Sequence, residues 1–131
     1  MKKTRPISVR EALDGLQFLE QRTPTTPAEE SERAFAKLSD YRDGAIFIGH
    51  YAGNSAWERH SRGDEVVFVL EGETTLFLLA DGRESPNRLR EGEFMVVPKN
   101  VWHRFETPAG VKVMSITPQP TDHSVEQPRD P

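Results

Sequence analysis

The chain has 131 residues, a formal net charge of −4 and no cysteine, a length that predicts one domain. The missing cysteines exclude disulfides and thiolate metal sites, and the interspersed charges argue against nucleic acid as a partner. No apolar run approaches membrane-spanning length or follows the basic N-terminal residues, so we expect a cytoplasmic protein that does not contact a membrane.

The apolar content predicts a small core that gains from association with a second copy. Hydrophobic residues make up 35% of the chain, which lies below the usual apolar share. A single small domain buries a modest fraction of its surface, and burial against an identical subunit adds to it. We therefore expect a homodimer.

Residues 1–42 are interpreted as an N-terminal arm. Apolar residues at Val9, Leu13 and Leu16 have loosely helical spacing that Gly15 interrupts, which predicts a short helix or a docking arm. The run Thr26-Pro27-Ala28-Glu29 has a hydroxyl cap, proline at the first helical position and an acidic residue after it. It predicts a second helix over about 27–38 that covers a sheet edge.

From residue 43 to residue 118 the sequence has the pattern of an all-β domain. Short runs rich in β-branched and aromatic residues alternate with the turn signals A-G-N-S, S-R-G-D, E-G-E, A-D-G-R, P-K-N and P-A-G. The predicted strands are 45–51, 57–61, 65–70, 74–80, 94–97, 102–106 and 111–116. Strands at near-regular spacing predict a barrel or sandwich. The Pro-rich segment 119–131 is expected to be a loose tail, unless a partner subunit orders its first half.

Two segments carry residues suited to chemistry. In the first, from Gly53 to Gly72, the period of a strand puts Glu58 and His60 on one face, and Glu65 heads the next strand. The second runs from Gly92 to His103 and likewise consists of a strand, a turn that contains proline, and a histidine. Alternation points Glu65 into the barrel, where a charge without a cation is costly.

The two segments resemble the paired motifs of the cupin superfamily, and the likeness to small single-domain bacterial cupins extends over about residues 43–118. Glu65 and Gly72 match the first motif with six residues between them, and Gly92, Pro98 and His103 match the second. The resemblance implies a double-stranded β-helix, or jelly roll, with a metal inside the barrel. It implies a divalent ion such as Mn, Fe, Ni or Zn, held by Glu58, His60, Glu65 and His103.

Departures from the motifs leave alternatives open. Glu58 stands where the family has its first histidine, so it is either a fourth, harder ligand or an ion-paired carboxylate that leaves a triad of the other three residues. Asn100 replaces a turn glycine, and asparagine tolerates the left-handed backbone. His60 and His103 also fit hydrogen-bonded core histidines of a barrel without metal. His50 and His123 are expected to lie outside the site, and Trp57 and Trp102 to face away from it.

Three functions are compatible with these residues. Resemblance to cupin enzymes implies metal-dependent oxygenation, isomerisation or decarboxylation of a small molecule, with Glu58 as fourth ligand or general base. A non-enzymatic module that binds or senses a small ligand or a metal is the second, and a metal-free dimeric scaffold is the third. Because this fold hosts many unrelated activities, the resemblance does not choose among them.

Overall fold

The computed structural model describes residues 4–129, and most of them belong to β-strands. Two short helices lie near the N-terminus, α1 (Val9–Asp14) and α2 (Ala28–Ala34). The strands are β1 (Leu19–Arg22), β2 (Phe35–Tyr41), β3 (Gly44–Asn54), β4 (Trp57–His60), β5 (Glu65–Ala80), β6 (Arg83–Arg90), β7 (Phe94–Val97), β8 (His103–Pro118) and β9 (Thr121–Ser124). Neither helix is long and apolar enough to cross a membrane, nor is any other segment within 4–129 a helix of that kind.

Strand β8 organises the barrel because it pairs antiparallel with β3 along one edge and with β5 along the other. β2 and β1 extend the sheet beyond β3, and β7 and β6 pair with the two halves of β5. At its first residue β8 also meets β4, where Glu58 lies opposite His103. The start of β8 is thus held between β4 and β5.

The core is formed by side chains from the inner faces of these strands. Alternation along β5 buries Val67 and Val69, and Glu65 has the same parity and is buried with them. The buried apolar cluster is Tyr51, Val67, Val69, Leu76, Leu89, Val97, Phe105 and Val111. The predicted all-β fold is confirmed, and its alternation places an acidic residue inside.

The N-terminal arm differs from its prediction, because the second helix ends at Ala34 and not near residue 38. Phe35 begins β2, which pairs with β3, and the Phe35 ring lies 5.5 Å from that of Tyr51. Strand pairing and ring packing therefore outweigh the local helical signal. Pro27, predicted as the first helical residue, is the N-cap residue of α2, and no side chain caps the helix. The Thr26 hydroxyl, predicted as the cap, bonds the backbone of Thr23.

The structure also differs from the sequence prediction at two turns and in the C-terminal tail. The E-G-E and P-A-G sequences do not end strands; Gly72 and Gly110 have positive φ inside β5 and β8, where a bulge bends the strand near Gly72. β6 was not predicted because its exposed residues and Pro86 lack a strand pattern, as suits an edge strand. Residues 121–124 form β9 against β4, because the exposed backbone of β4 supplies the pairing that the tail's own sequence lacks.

Candidate metal centre

Three strand ends deliver the central side chains: His60 ends β4, Glu65 begins β5 and His103 begins β8. The turns beside them are tied to one another. The Asp64 carboxylate accepts the backbone N–H of Lys99 at 2.8 Å, and the Asn100 N–H donates to the His60 carbonyl at 2.9 Å. Asn100 has φ 66°, so the left-handed conformation expected for it is present. The two motif segments are thereby fastened together.

The three side chains converge on one point. Glu65 Oε1 lies 3.0 Å from His103 Nε2 and 3.3 Å from His60 Nε2. Exposed fractions are 4% for His60, 6% for Glu65 and 0% for His103. One ligand atom from each residue falls within 4.8 Å of the others. The predicted meeting of the two distant segments therefore occurs in the folded chain.

Neighbouring groups fix the orientation of each side chain. The Thr117 hydroxyl donates to Glu65 Oε2 at 2.6 Å, which leaves Oε1 facing the histidines. His103 Nδ1 lies 3.0 Å from the Val101 carbonyl oxygen, an obligate acceptor, so Nδ1 carries a proton and, in the neutral imidazole, the lone pair is on Nε2.

His60 is oriented in the same way from the other side of the site. Its Nδ1 lies 3.0 Å from the Thr121 hydroxyl, which itself donates to the Gln119 side chain at 3.4 Å. When the hydroxyl donates to Gln119, its oxygen accepts from Nδ1–H, and the lone pair of the neutral His60 imidazole is then on Nε2. β9 supplies this contact, so the segment after the barrel takes part in the site.

The electrostatics follow from this arrangement. Burial acts to raise the pKa of Glu65, but the facing imidazoles of His103 and His60, acting as positively charged donors to its carboxylate, outweigh burial and lower that pKa to about 2. For His103, burial acts to lower the pKa, yet the Glu65 carboxylate outweighs burial and the pKa is raised above its usual 6.5. The site thus keeps an ionised carboxylate inside the barrel and attracts positive charge.

A divalent ion fits these residues. His60 Nε2, Glu65 Oε1 and His103 Nε2 are buried and have no hydrogen-bond partner, although each is oriented as an acceptor. Two ligands about 2.1 Å from a metal stand about 3.0 Å apart at a right angle and about 3.4 Å apart at the tetrahedral angle. The two distances from Glu65 Oε1, 3.0 and 3.3 Å, match that range, and all three atoms lie within 4.8 Å of one another. Two imidazoles and one carboxylate are donors for Mn, Fe, Ni or Zn.

Glu58 lies beside the triad and pairs with a different residue. Its Oε2 is 3.4 Å from Nε2 of His123, a β9 residue that was expected to lie outside the site. Burial acts to raise the pKa of Glu58, but the His123 contact and the nearby histidine His103 outweigh it, so that pKa is lowered. His123 stays largely exposed and was missed because its position in a Pro-rich tail gave no signal.

A cavity of about 750 Å³ opens beside the triad. It is lined by His60 and Glu65 together with Glu58, His123, Tyr51 and Arg22. Tyr51 and Arg22 were not singled out in the sequence. Tyr51 lies on a strand among apolar residues, and Arg22 is one of many charged residues in the arm, so neither carries a motif.

The remaining candidates lie away from the cavity. His50 packs against Phe18 with ring centroids 4.5 Å apart, and burial is the main cause of its lowered pKa. Trp57 lies beneath the guanidinium of Arg104 and Trp102 beneath that of Arg59, at 5.5 and 4.7 Å. Neither indole lines the cavity, as their parity in the strands predicts.

Comparison with known proteins adds a family match. A family model described as a cupin domain matches residues 49–117, just over half of the chain. Acireductone dioxygenase from Rhodopseudomonas palustris is 30% identical over 60 residues, which cover 46% of this chain and 36% of the dioxygenase. The chain thus matches about a third of the length of that curated relative.

Two solved structures have similar folds. A cupin-2 domain containing protein from Shewanella frigidimarina has a TM-score of 0.57 and 27% identity, with 66% of this chain and 80% of that chain covered. A protein from Neisseria meningitidis has a TM-score of 0.61 and 24% identity, with 88% of this chain and all of that chain covered. The second likeness concerns the fold alone.

Proposed function

The chain belongs to the cupin domain family, and from that premise we propose that it binds a divalent metal ion through His60, Glu65 and His103 and acts there on a small molecule. The observation that carries the proposal is the set of three buried acceptor atoms that face one another without a donor. Buried acceptors of this kind are costly unless a cation or a proton lies between them.

The protein's own groups would prepare the site for its ligand. Thr117 and Thr121 hold the carboxylate and one imidazole in place, and the Val101 carbonyl holds the other. When bound, the ion supplies Lewis acidity that orients a substrate oxygen and stabilises negative charge on it. The cavity beside it has room for an organic molecule, which favours a ligand-binding site over a scaffold.

An oxygenase is the enzyme class that the comparisons favour, because the curated relative is named a dioxygenase. Isomerisation and decarboxylation remain open under the same arrangement, and so does binding without turnover. Glu58 is placed on the cavity wall beside His123, where a lowered pKa keeps it ionised. We assign it the role of a general base or a fourth ligand, in either case through a carboxylate that faces the cavity.

The metal proposal is tested by metal content after purification without an affinity tag. Protein loaded with Zn and dialysed is expected to retain about one ion per chain by mass spectrometry of the element. Glu65→Gln keeps the shape and the Thr117 contact but removes the charge, and His103→Ala removes one ligand, so both should lose the ion. His50→Ala is the matched control and should retain it.

Two outcomes would contradict this proposal. One is wild-type protein that stays free of Mn, Fe, Ni and Zn after exposure to each. The other is Glu65→Gln that is folded by circular dichroism and binds the ion as tightly as wild type. Metal-dependent oxygen consumption with candidate substrates then separates an oxygenase from a binding module.

A homodimer in the cytoplasm completes the proposal. Phe94 and Val96 lie two residues apart on β7 and are 64% and 45% exposed, an apolar pair that a second copy of the chain would cover. Light scattering after gel filtration should give twice the 14.9 kDa chain mass, and Phe94→Glu should give the monomer. A wild-type monomer at all concentrations would refute the dimer. Cell fractionation tests the location.

A further inference from the structure

Arg22 is a cation on the cavity wall that takes no part in the proposed metal centre. Arg22 ends β1, and its guanidinium lies over the Tyr51 ring at 4.5 Å and 4.8 Å from the Phe35 ring. Stacking on aromatic faces fixes the plane of a guanidinium. The Tyr51 hydroxyl also lies within hydrogen-bonding reach of Arg22, which leaves the remaining edge N–H groups to donate. Arg22 is therefore positioned, although it is only partly buried.

Within residues 4–129 no carboxylate lies in ion-pair contact with Arg22. The charge of Arg22 contributes to the lowered pKa of Glu58, but Glu58 forms its ion pair with His123, at 3.4 Å. By contrast, Arg59 donates twice to Asp122, and Arg104 contacts two carboxylates. Arg22 is thus a held cation whose N–H edge has no anionic partner.

The backbone is built to bring Arg22 to this position. β1 pairs with β3 in parallel, with Arg22 opposite Gly53. Gly53 has φ 109°, and a Cβ there would stand 2.2 Å from the Arg22 carbonyl oxygen. Only glycine permits that approach. A glycine of the first motif therefore serves the placement of an arginine that lies far from the motif in sequence.

The rest of the cavity wall indicates what the arginine would bind. Apolar side chains contribute much of the lining, among them Phe47, Ile48 and Phe105. A volume of about 750 Å³ exceeds the needs of an inorganic anion. We propose that the ligand of this cavity is an organic carboxylate with an apolar body, whose carboxylate Arg22 binds while the body packs on the apolar wall. This inference rests on the proposed metal centre, which would bind the other end of the ligand.

Charge couples the two ends. A divalent ion would add two positive charges to a wall that already carries Arg22, Glu58 and Glu65. A carboxylate ligand is therefore attracted more strongly once the ion is bound. Because linkage is reciprocal, the carboxylate should strengthen metal binding by the same factor.

The test uses Zn-loaded full-length protein and pairs of small aryl carboxylates and their carboxamides, such as benzoate with benzamide and 2-naphthoate with 2-naphthamide, measured by ligand-observed NMR titration. We expect the carboxylate of each pair to bind more tightly. Arg22→Gln should remove that preference, a loss of about tenfold or more for a charge-assisted contact. Arg22→Lys should restore part of it, and Arg83→Gln, at an exposed arginine outside the cavity, should change nothing.

Zn content and the unfolding midpoint are measured on the same samples. A failure of the metal proposal can therefore be distinguished from a failure of the proposed role of Arg22. Equal binding of carboxylate and carboxamide, no binding of either, or an unchanged preference in folded Arg22→Gln would overturn the role of Arg22. If the wild type holds no Zn, the metal proposal fails, and the same titration of the metal-free protein decides the role of Arg22.

Discussion

At the scale of single residues, the site depends on how protons are distributed around two imidazoles. Val101 and Thr121 bind the Nδ1 protons of His103 and His60, and this leaves both Nε2 lone pairs directed at the same carboxylate oxygen. Three acceptors in a buried space repel one another unless positive charge lies among them. Either a metal ion or a proton on His103 provides it, and the two cases differ in their response to pH.

The pH dependence of stability should therefore differ between metal-free and metal-loaded protein. The lowered pKa of Glu65, about 2, stabilises the fold above pH 4.5, and this contribution is lost as pH falls toward 2. The raised pKa of His103 stabilises it below pH 6.5, and this is lost as pH rises through the folded pKa.

From this pair, metal-free protein should be most stable between pH 4.5 and 6.5. Metal requires unprotonated imidazole, so the stabilisation that Zn adds should grow as pH rises above 6.5. Urea unfolding with and without Zn at several pH values measures both trends. A Zn effect that is constant with pH, or that grows on acidification, would contradict this account.

Thr117 offers a second test at this scale. Replacing it with valine removes the hydroxyl that holds Glu65 Oε2 at 2.6 Å, so the carboxylate should lose its orientation and Zn affinity should fall about 10- to 100-fold. Thr74→Val is the matched control. Thr74 is buried, and its hydroxyl forms a 2.7 Å hydrogen bond with the Thr107 hydroxyl, outside the triad. The substitution should cost stability, about 1 kcal/mol, and leave Zn affinity unchanged. Equal Zn affinity in the two variants would show that Thr117 has no positioning role.

At the scale of elements, the sequence predicted the strands that carry a strong alternating pattern and missed those that pairing creates. β5 and β7 and the ends of β8 have apolar alternation, so His60, Glu65 and His103 could be placed from their own residues and a family resemblance. β1, β2 and β9 form because β3 and β4 offer backbone partners, which no local pattern records. For that reason His123 and Arg22, both on such partner-dependent strands, escaped prediction.

The approach of β1 to β3 predicts that Gly53 is more sensitive than another glycine of similar conformation. Gly53→Ala combines a positive φ with a clash of 2.2 Å against the Arg22 backbone, whereas at Gly82, φ 74°, nothing lies within 4 Å of the added Cβ. Gly82→Ala should cost about 1–2 kcal/mol from backbone strain alone. Gly53→Ala should cost clearly more in urea unfolding. Equal losses would mean that β1 is free to move away from β3.

At the scale of the whole molecule, the barrel joins three features that lie far apart in the chain. Motif residues supply the three proposed metal ligands, the segment after β8 supplies Thr121 and His123, and the arm before β2 supplies Arg22. The cavity is therefore completed by both flanks of the family-matched region, residues 49–117. Specificity in this protein should depend on the flanks, and metal binding on the matched region.

An ion bound by the triad would be located by the anomalous difference density of a crystal grown with Zn and measured on both sides of the Zn absorption edge. We expect one strong peak within about 2.0–2.2 Å of His60 Nε2, Glu65 Oε1 and His103 Nε2. A crystal with no Zn peak at these three atoms, or with its peak only between Glu58 and His123, would contradict the metal proposal.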